Sequence, residues 1–440
     1  MSDQPRGAPW TLLCFLGVGV VVVAQFGLSA LVTAVAFAVE FVFVVFFVRH
    51  LAFASSAMAA APHDLAAPAF DTGFTPRVSV LVACKNEESV VDALATSLLD
   101  LDYPSDGMEL CIIDDGSTDA TAEVLAARAA SDPRLRVVTR PPDAGGGKSG
   151  ALNAALAAAT GEVIVVFDAD HSPRRDCVRR LVRHFADPQV AAAQGRCVIR
   201  NGDDSLLARL IAVDYLAGYL VNEYGRQSLF RLPAYGGANC AVRASELRAL
   251  GGWNPNTVTE DTDLTLRLLL RGSRVCYDVT AVDEEEAVVT LERYWRQRYR
   301  WARGHQQCWR DYRGAVWRSP RLSLAEKIET TMFLLVFHLP VASAVGIGVL
   351  LLWLAGVVHP TDVGGIFMLW TLLFLGPLLE LGGALLVARA DRRQALALVY
   401  FLPVFFVSIA LCAKAWVDGV VGRPYAWVKT ARRAEPSVAT

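Results

Sequence analysis

The chain lacks a charge imbalance. Its 440 residues carry 42 Lys and Arg against 44 Asp and Glu, a formal net charge of −2. It therefore offers no basic field to a phosphate backbone, and nucleic acid is not expected as a partner. It lacks paired cysteine spacing. Nine cysteines are scattered with no C-x-x-C and no zinc-like grouping, which suits free thiols acting as small hydrophobes in a reduced compartment. It has no internal repeat and no low-complexity tract. Its long apolar segments hold almost no ionisable residues, Glu40 and Glu380 apart, which argues against a transport path. It also lacks a complete P-loop. Gly147-Lys148-Ser149 could end one, but G-x-x-x-x-G-K-[ST] requires glycine where this chain has Pro142, so an ATPase loop is rejected.

What the chain has in excess is apolar surface. It is 54% hydrophobic with mean hydropathy +0.36, more than an ordinary soluble protein carries, so the excess is assigned to lipid. Trp10 to Val48 is long enough for two crossings at about 20 residues each, with Gln25 to Ser29 as the turn. A cleaved signal peptide would be shorter and would show a small-residue cleavage site. Three further apolar segments cover residues 330–358, 364–387 and 395–416. Arg389, Arg392 and Arg393 lie between the last two, while His359 to Asp362 carries no Lys or Arg. Positive-inside reasoning puts the arginine loop and the central region in the cytoplasm. Five crossings conflict with the basic tail "WVKTARRAEP", and one segment lying in the interface or re-entering would resolve the conflict. The expected organisation is an integral membrane protein: an N-terminal hairpin (1–53), an Ala- and Pro-rich linker (54–76), an α/β domain (77–318), an interfacial amphipathic segment (319–329), C-terminal membrane helices (330–418) and a basic tail (419–440).

Strand and helix signals alternate through the central region, which predicts a mostly parallel sheet. Val78–Ala83, Glu109–Ile113, Leu135–Arg140 and Val163–Phe167 read as strands. The last is continuous and β-branched, the pattern of a strand covered on both faces. Three of these strands deliver polar clusters at one rim: Asn86 and Glu87, then Asp114 and Asp115, then Asp168 and Asp170. In open α/β sheets that rim is where ligands bind. Any one cluster could be an ordinary cap or loop; three together point to a shared nucleotide site. Asp168 and Asp170 offer two hard oxygen ligands, a set that suits Mg²⁺ or Mn²⁺. Lys148, at the start of an Ala-rich helix, can help hold an anion there. Glu260 and Asp261 begin an amphipathic helix, where capping is the alternative role for a carboxylate. "LERYWRQRYRWARGHQQCWRDYR" is basic and aromatic, suited to diphosphate, to a sugar face or to anionic lipid. Asp283 to Glu286 reads as a solvated acidic turn or strand end.

The ordered set "VACKNEE", "IIDDGSTD", "GGGKSGALNAAL", "FDADHSP", "GGANCAVR", "TEDTDL" and "QRYRW" resembles the membrane-integrated family-2 glycosyltransferases, the cellulose, chitin and hyaluronan synthase group with its glycolipid-making relatives. The set spans Val82 to Trp301, about half the chain. The resemblance implies an α/β GT-A cytoplasmic domain, Rossmann-like with a mostly parallel sheet, flanked by transmembrane helices. It implies that Asn86, Glu87, Asp114 and Asp115 hold uridine, that Lys148 contacts the nucleotide, and that Asp168 and Asp170 bind Mg²⁺ or Mn²⁺ with the diphosphate of a UDP-sugar. It implies that Asp261, with Glu260 beside it in the T-E-D motif, is the general base. Gln297, Arg300 and Trp301 match Q-x-x-R-W, which clamps the diphosphate and borders the acceptor. His171 is given no catalytic role. Q-x-x-R-W favours processive extension of a β-linked polysaccharide, with Glu40 and Glu380 facing a bundle interior or a polymer path; the alternative is a single transfer to a membrane lipid such as diacylglycerol. A homo-oligomer is compatible with either.

Overall fold

The computed structural model describes residues 27–66, 73–358 and 363–423, with isolated positions before residue 27. Helix α1 (Leu28–Ala66) leads into strand β1 (Val78–Cys84), α2 (Val91–Leu99), β2 (Met108–Asp114), α3 (Thr121–Ser131), β3 (Leu135–Thr139), α4 (Gly147–Ala158) and β4 (Val163–Asp168). There follow β5 (Ser172–Pro173), α5 (Cys177–Val182), β6 (Val190–Ile199), α6 (Leu206–Ala217), β7 (Cys240–Arg243), α7 (Ala244–Ala249), α8 (Glu260–Arg271) and β8 (Arg274–Glu285). The chain closes with α9 (Leu291–Arg318), α10 (Leu324–Leu335), α11 (Leu339–Leu354), α12 (Val363–Ala388), α13 (Arg392–Ala397) and α14 (Phe401–Val420).

The eight strands form one sheet in the order β3-β2-β1-β4-β7-β6-β8-β5. β3, β2, β1 and β4 run parallel. β7 runs antiparallel to both β4 and β6, and β5 antiparallel to β8, so the sheet is mixed. The chain winds outward from β1 to β3, then returns to the other side of β1 with β4. That reversal opens a crevice at the carboxyl ends of β1 and β4, where α/β sheets take their ligands.

Alternation along the strands divides the core between two faces. Val80, Val82, Val165 and Phe167 pack with Leu94, Leu98 and Leu181 on one face. Leu81, Ile113, Ile164 and Val166 pack with Leu152, Leu247 and Leu264 on the other. Val163 to Phe167 is buried throughout, as a doubly covered strand requires. Burying each such side chain contributes roughly 1.5–3 kcal/mol. The eight described cysteines are buried free thiols.

The membrane elements differ from the expectation in two places. Gly27 adopts a positive φ of 84° and marks the expected turn, but most of the first arm of the hairpin lies outside the described residues. From Leu28 one helix runs 39 residues to Ala66, so the stretch from Ala54 is helix rather than linker. Alanine has the best helix propensity, and Ala54, Ala57 and Ala61 are small enough to pack with Phe53 against Val221, Tyr277 and Val279 of the α/β domain. Residues 67–72 of the expected linker lie outside the described set. Finally, the boundary expected at 329/330 is continuous helix. α10 starts at a capping box formed by Ser323 and Glu326, and the break comes later, where α10 and α11 meet at 67°. Pro340 at the first turn of α11 lacks the N–H that a continuing helix would need there. The loop at His359 to Asp362 and the basic tail are outside the described residues.

Two described helical spans, Leu28–Ala66 and Arg392–Val420, are long and apolar enough to cross a membrane, and the bent pair α10–α11 could supply a third. Glu380 of α12 pairs with His50 and accepts from Asn222 Nδ2 at 2.9 Å. It faces the interior of the helix bundle, one of the two environments expected for it.

Candidate active site

The loops after β1 and β2 are tied to each other before they can hold anything. Asn86 sits at φ 56°, a left-handed conformation that asparagine tolerates better than most residues. Its Oδ1 accepts from the Thr118 N–H at 2.8 Å, and its own N–H donates to Ser117 Oγ at 2.9 Å. The Glu87 N–H donates to Thr121 Oγ1 at 2.7 Å. Asp114, buried at the end of β2, accepts from the Ser117 N–H at 3.0 Å. Asp115 pairs with Arg140 from the end of β3. Gly116 lies at φ 68°, and a Cβ there would fall 2.4 Å from Pro142 Cα. Glycine is therefore what lets the third loop close over the second. In strand register Cys84 lies level with Asp114, and Ala83 with Asp168. All of these expected nucleotide residues stand along one rim.

Across the crevice Lys148, at the start of α4, gathers the carboxylates. Its Nζ lies 2.6 Å from Asp168 Oδ1 and 3.5 Å from Glu260 Oε1, and donates to the Gly237 carbonyl at 3.0 Å. Burial works to lower the ammonium's pKa, but Asp168 and Glu260 outweigh it and hold the pKa above its ordinary value. The sequence did not single out Gly237 as a partner. A Cβ on it would fall 3.0 Å from Asp261 Oδ2, so the backbone there and the Asp261 carboxylate lie in contact. Burial also pushes the carboxyls of Glu260 and Asp261 above their usual range, against the pull of Lys148, Arg300 and, at Asp261, the Thr262 N–H. A carboxylate raised in this way is a better proton acceptor than a solvated one.

The Q-x-x-R-W segment lies on α9. Gln297, Arg300 and Trp301 are spaced i, i+3, i+4 and share a face. Arg300 is close enough to favour ionisation of both Glu260 and Asp261, and its buried Nε has no hydrogen-bond partner. A buried guanidinium donor left in this state suits an incoming anion. Trp301 lies under the Arg298 guanidinium, 4.5 Å from its ring centroid. α9 reaches the T-E-D helix because position 304 is glycine: a Cβ there would lie 2.2 Å from Thr259 Cγ2. Neither Gly304 nor Arg298 was recognised from sequence, since only the packing reveals them.

Asp168 and Asp170 fit a divalent cation. Their oxygens are hard ligands, and Asp168 already balances one cation, the Lys148 ammonium. His171, beside them, is buried in the fold with its Nε2 3.9 Å from Asp170 Oδ1. Its Nδ1 pairs with Asp283 and its Nε2 lies 3.1 Å from Glu285 Oε2. Burial alone would lower this imidazole's pKa, but the two carboxylates raise it well above the ordinary value. The acidic run is a strand end, as one reading had it, but its solvation is corrected: Asp283 is fully buried in β8, where it holds His171 and with it the loop carrying Asp170. Cys197 lies in the same buried group.

This sheet, with its carboxylates at the switch point, is a GT-A fold. It is shared with the Mannosyltransferase PcManGT from Pyrobaculum calidifontis, solved in complex with GDP-Man and Mn²⁺: TM-score 0.61 at 22% identity, over 89% of this chain and 100% of that one. Residues 79–248 match the family described as Glycosyl transferase family 2. The Beta-monoglucosyldiacylglycerol synthase of Synechocystis sp. is 38% identical over 281 residues, 63% of this chain and 58% of that protein. The Poly-beta-1,6-N-acetyl-D-glucosamine synthase of Staphylococcus aureus is 28% identical over 237 residues, 53% of this chain and 56% of that protein. The chain thus spans under two thirds of the length of these curated relatives.

Proposed function

We propose that this chain transfers one hexosyl unit, with inversion, from a UDP-sugar to the free hydroxyl of a diacylglycerol-type lipid at the cytoplasmic face of a membrane. The observation that carries the lipid acceptor is the 38% identity to a β-monoglucosyldiacylglycerol synthase, against 28% to a polymer synthase. The alternative of a single transfer therefore displaces processive extension as the leading reading.

The proposed chemistry follows from the residues. Asn86, Glu87, Asp114 and Asp115 line the nucleoside end. Asp168 and Asp170 hold Mg²⁺ or Mn²⁺, which when bound offsets the charge of the leaving diphosphate. Lys148, Arg300 and Gln297 surround the same diphosphate from the protein side, and Trp301 borders the acceptor. Asp261 takes the proton of the attacking hydroxyl, and Glu260 beside it keeps the Lys148 charge in place. Attack opposite the leaving group turns an α-linked donor into a β-linked product with no covalent enzyme intermediate. The Q-x-x-R-W segment and the polymer-synthase relative favour the second reading, processive β-polysaccharide synthesis. The test is acceptor dependence in lipid vesicles: donor turnover should rise on adding diacylglycerol and stay at its basal level on adding oligosaccharide.

A further inference from the structure

Past Ala217 the chain of α6 widens into two π-helical turns, Gly218–Glu223 and Arg226–Phe230. Turns of this kind are rare and occur often at functional sites. Here they aim two charged side chains at the segment that follows. Arg226 Nε donates to the Leu232 carbonyl at 2.7 Å, and Glu223 Oε2 accepts from the Ala234 N–H at 2.7 Å. Pro233, between these two anchored residues, has its φ fixed by its own ring. Arg226 is itself held in place. It is buried, it lies over the Phe333 ring of α10 at 3.8 Å, and its Nη1 is 3.8 Å from Glu329 Oε1.

The other end of the same segment stands in the candidate active site. The Tyr235 N–H donates to Thr265 Oγ1 at 2.9 Å, and that hydroxyl donates to the Asp261 carbonyl at 2.8 Å, one turn back on α8. The Gly236 N–H donates to Gln194 Oε1 at 2.6 Å. Gly237, at φ 79°, gives its carbonyl to Lys148 and sets its backbone against the Asp261 carboxylate. Residues 232–237 therefore run from the π-helical turns beside α10 to the T-E-D motif, with their backbone held by side chains at both ends. We infer that Glu223 and Arg226 are positioning residues: through residues 232–237 they set where the Gly237 backbone stands, and with it the Asp261 carboxylate. The inference rests on Asp261 as the proposed base and adds what places it. Placement matters because a shift of about 1 Å at a reacting group can cost about 10²-fold in rate.

A double-mutant cycle on kcat tests this, with the full chain in diacylglycerol-containing vesicles and the UDP-sugar it turns over. Glu223→Ala removes the acceptor for the Ala234 N–H and should lower kcat roughly ten- to a hundredfold. Glu223→Gln keeps an acceptor oxygen and should restore most of that loss. In an Asp261→Asn background Glu223→Ala should lose most of its effect, because the group it positions no longer takes the proton. A merely structural role would cost the same factor in both backgrounds. Thr265→Val breaks the next link without touching Glu223; it should show the same coupling to Asp261, and it carries the cycle if Glu223→Ala does not fold. Equal losses in both backgrounds, or wild-type kcat in Glu223→Ala, would overturn the positioning role and leave Asp261 as the base. Near-wild-type kcat in Asp261→Asn alone would overturn the base assignment, and this inference with it.

Discussion

Lys148 Nζ lies 2.6 Å from Asp168 Oδ1, joining the start of α4 to the end of β4 across the mouth of the crevice. The same ammonium faces Glu260 and the Gly237 carbonyl. One cation therefore holds the proposed metal ligand, the T-E-D helix and the glycine loop in register. Lys148→Met removes a hydrogen bond between charged groups, an interaction of about 1.5–3 kcal/mol. The expected loss in kcat/KM is roughly ten- to two-hundredfold, carried largely by the KM for the donor. Steady-state kinetics with the donor varied would check this; an unchanged donor KM would remove Lys148 from the site.

Asp261 is the proposed base, and its deprotonated form is the active one. Burial raises its pKa above the ordinary 3.8. The acid limb of the kcat profile should therefore lie above the usual carboxylate range, with activity falling as pH drops through it. Asp261→Asn should lower kcat by about 10²–10⁴-fold while nucleotide binding, followed by calorimetry, persists. An acid limb that survives in Asp261→Asn would assign the titration to another group.

Gly304 tests whether α9 must touch the T-E-D helix. A Cβ there would meet Thr259 at 2.2 Å, and overpacking of this kind costs about 1–3 kcal/mol. Gly304→Ala should lower kcat with only a modest fall in melting temperature, because the shift is passed directly to Glu260 and Asp261. Full activity in that variant would show that the contact between the helices is dispensable.

Arg49 and Glu329 form a buried bidentate pair between α1 and α10, at 2.8 and 2.9 Å. Breaking such a pair costs up to about 3–5 kcal/mol, less here because Arg226 Nη1 also lies 3.8 Å from Glu329 Oε1. Arg49→Met should therefore lower the melting temperature in detergent markedly, and Arg49→Met with Glu329→Met should recover part of the loss. A single variant that melts like wild type would show that the pair contributes nothing.

The parallel half of the sheet was legible because its signals are local. Val163 to Phe167 is continuous and β-branched, and each strand hands its polar cluster to the same rim. The antiparallel half was not. β6 begins Val190-Ala191-Ala192-Ala193, where alanine gives little strand signal, and its pairing with β7 and β8 is a long-range matter. Asp283 read as solvated because its partner, His171, lies more than a hundred residues earlier. Ala54 to Ala66 read as linker because Ala and Pro carry no amphipathic stripe; only the facing Val221 and Tyr277 make it a packed helix. Of the candidate site, the titratable residues were visible as motif letters. The close backbone approach at Gly236-Gly237 was visible as a glycine pair; its pairing with Lys148, and the part played by Gly304, were not, since a backbone contact leaves no side-chain signature.

Transfer of one sugar to one lipid is directly measurable. The measurement is mass spectrometry of the lipid-extracted and aqueous products after exhaustive turnover, with the full chain in diacylglycerol-containing vesicles, a divalent cation and each UDP-sugar in turn. The account predicts a lipid product heavier than its acceptor by one hexosyl residue, β-linked, from one donor. A ladder or high-mass glycan whose length grows with donor consumed would contradict it and return the chain to the polysaccharide synthases.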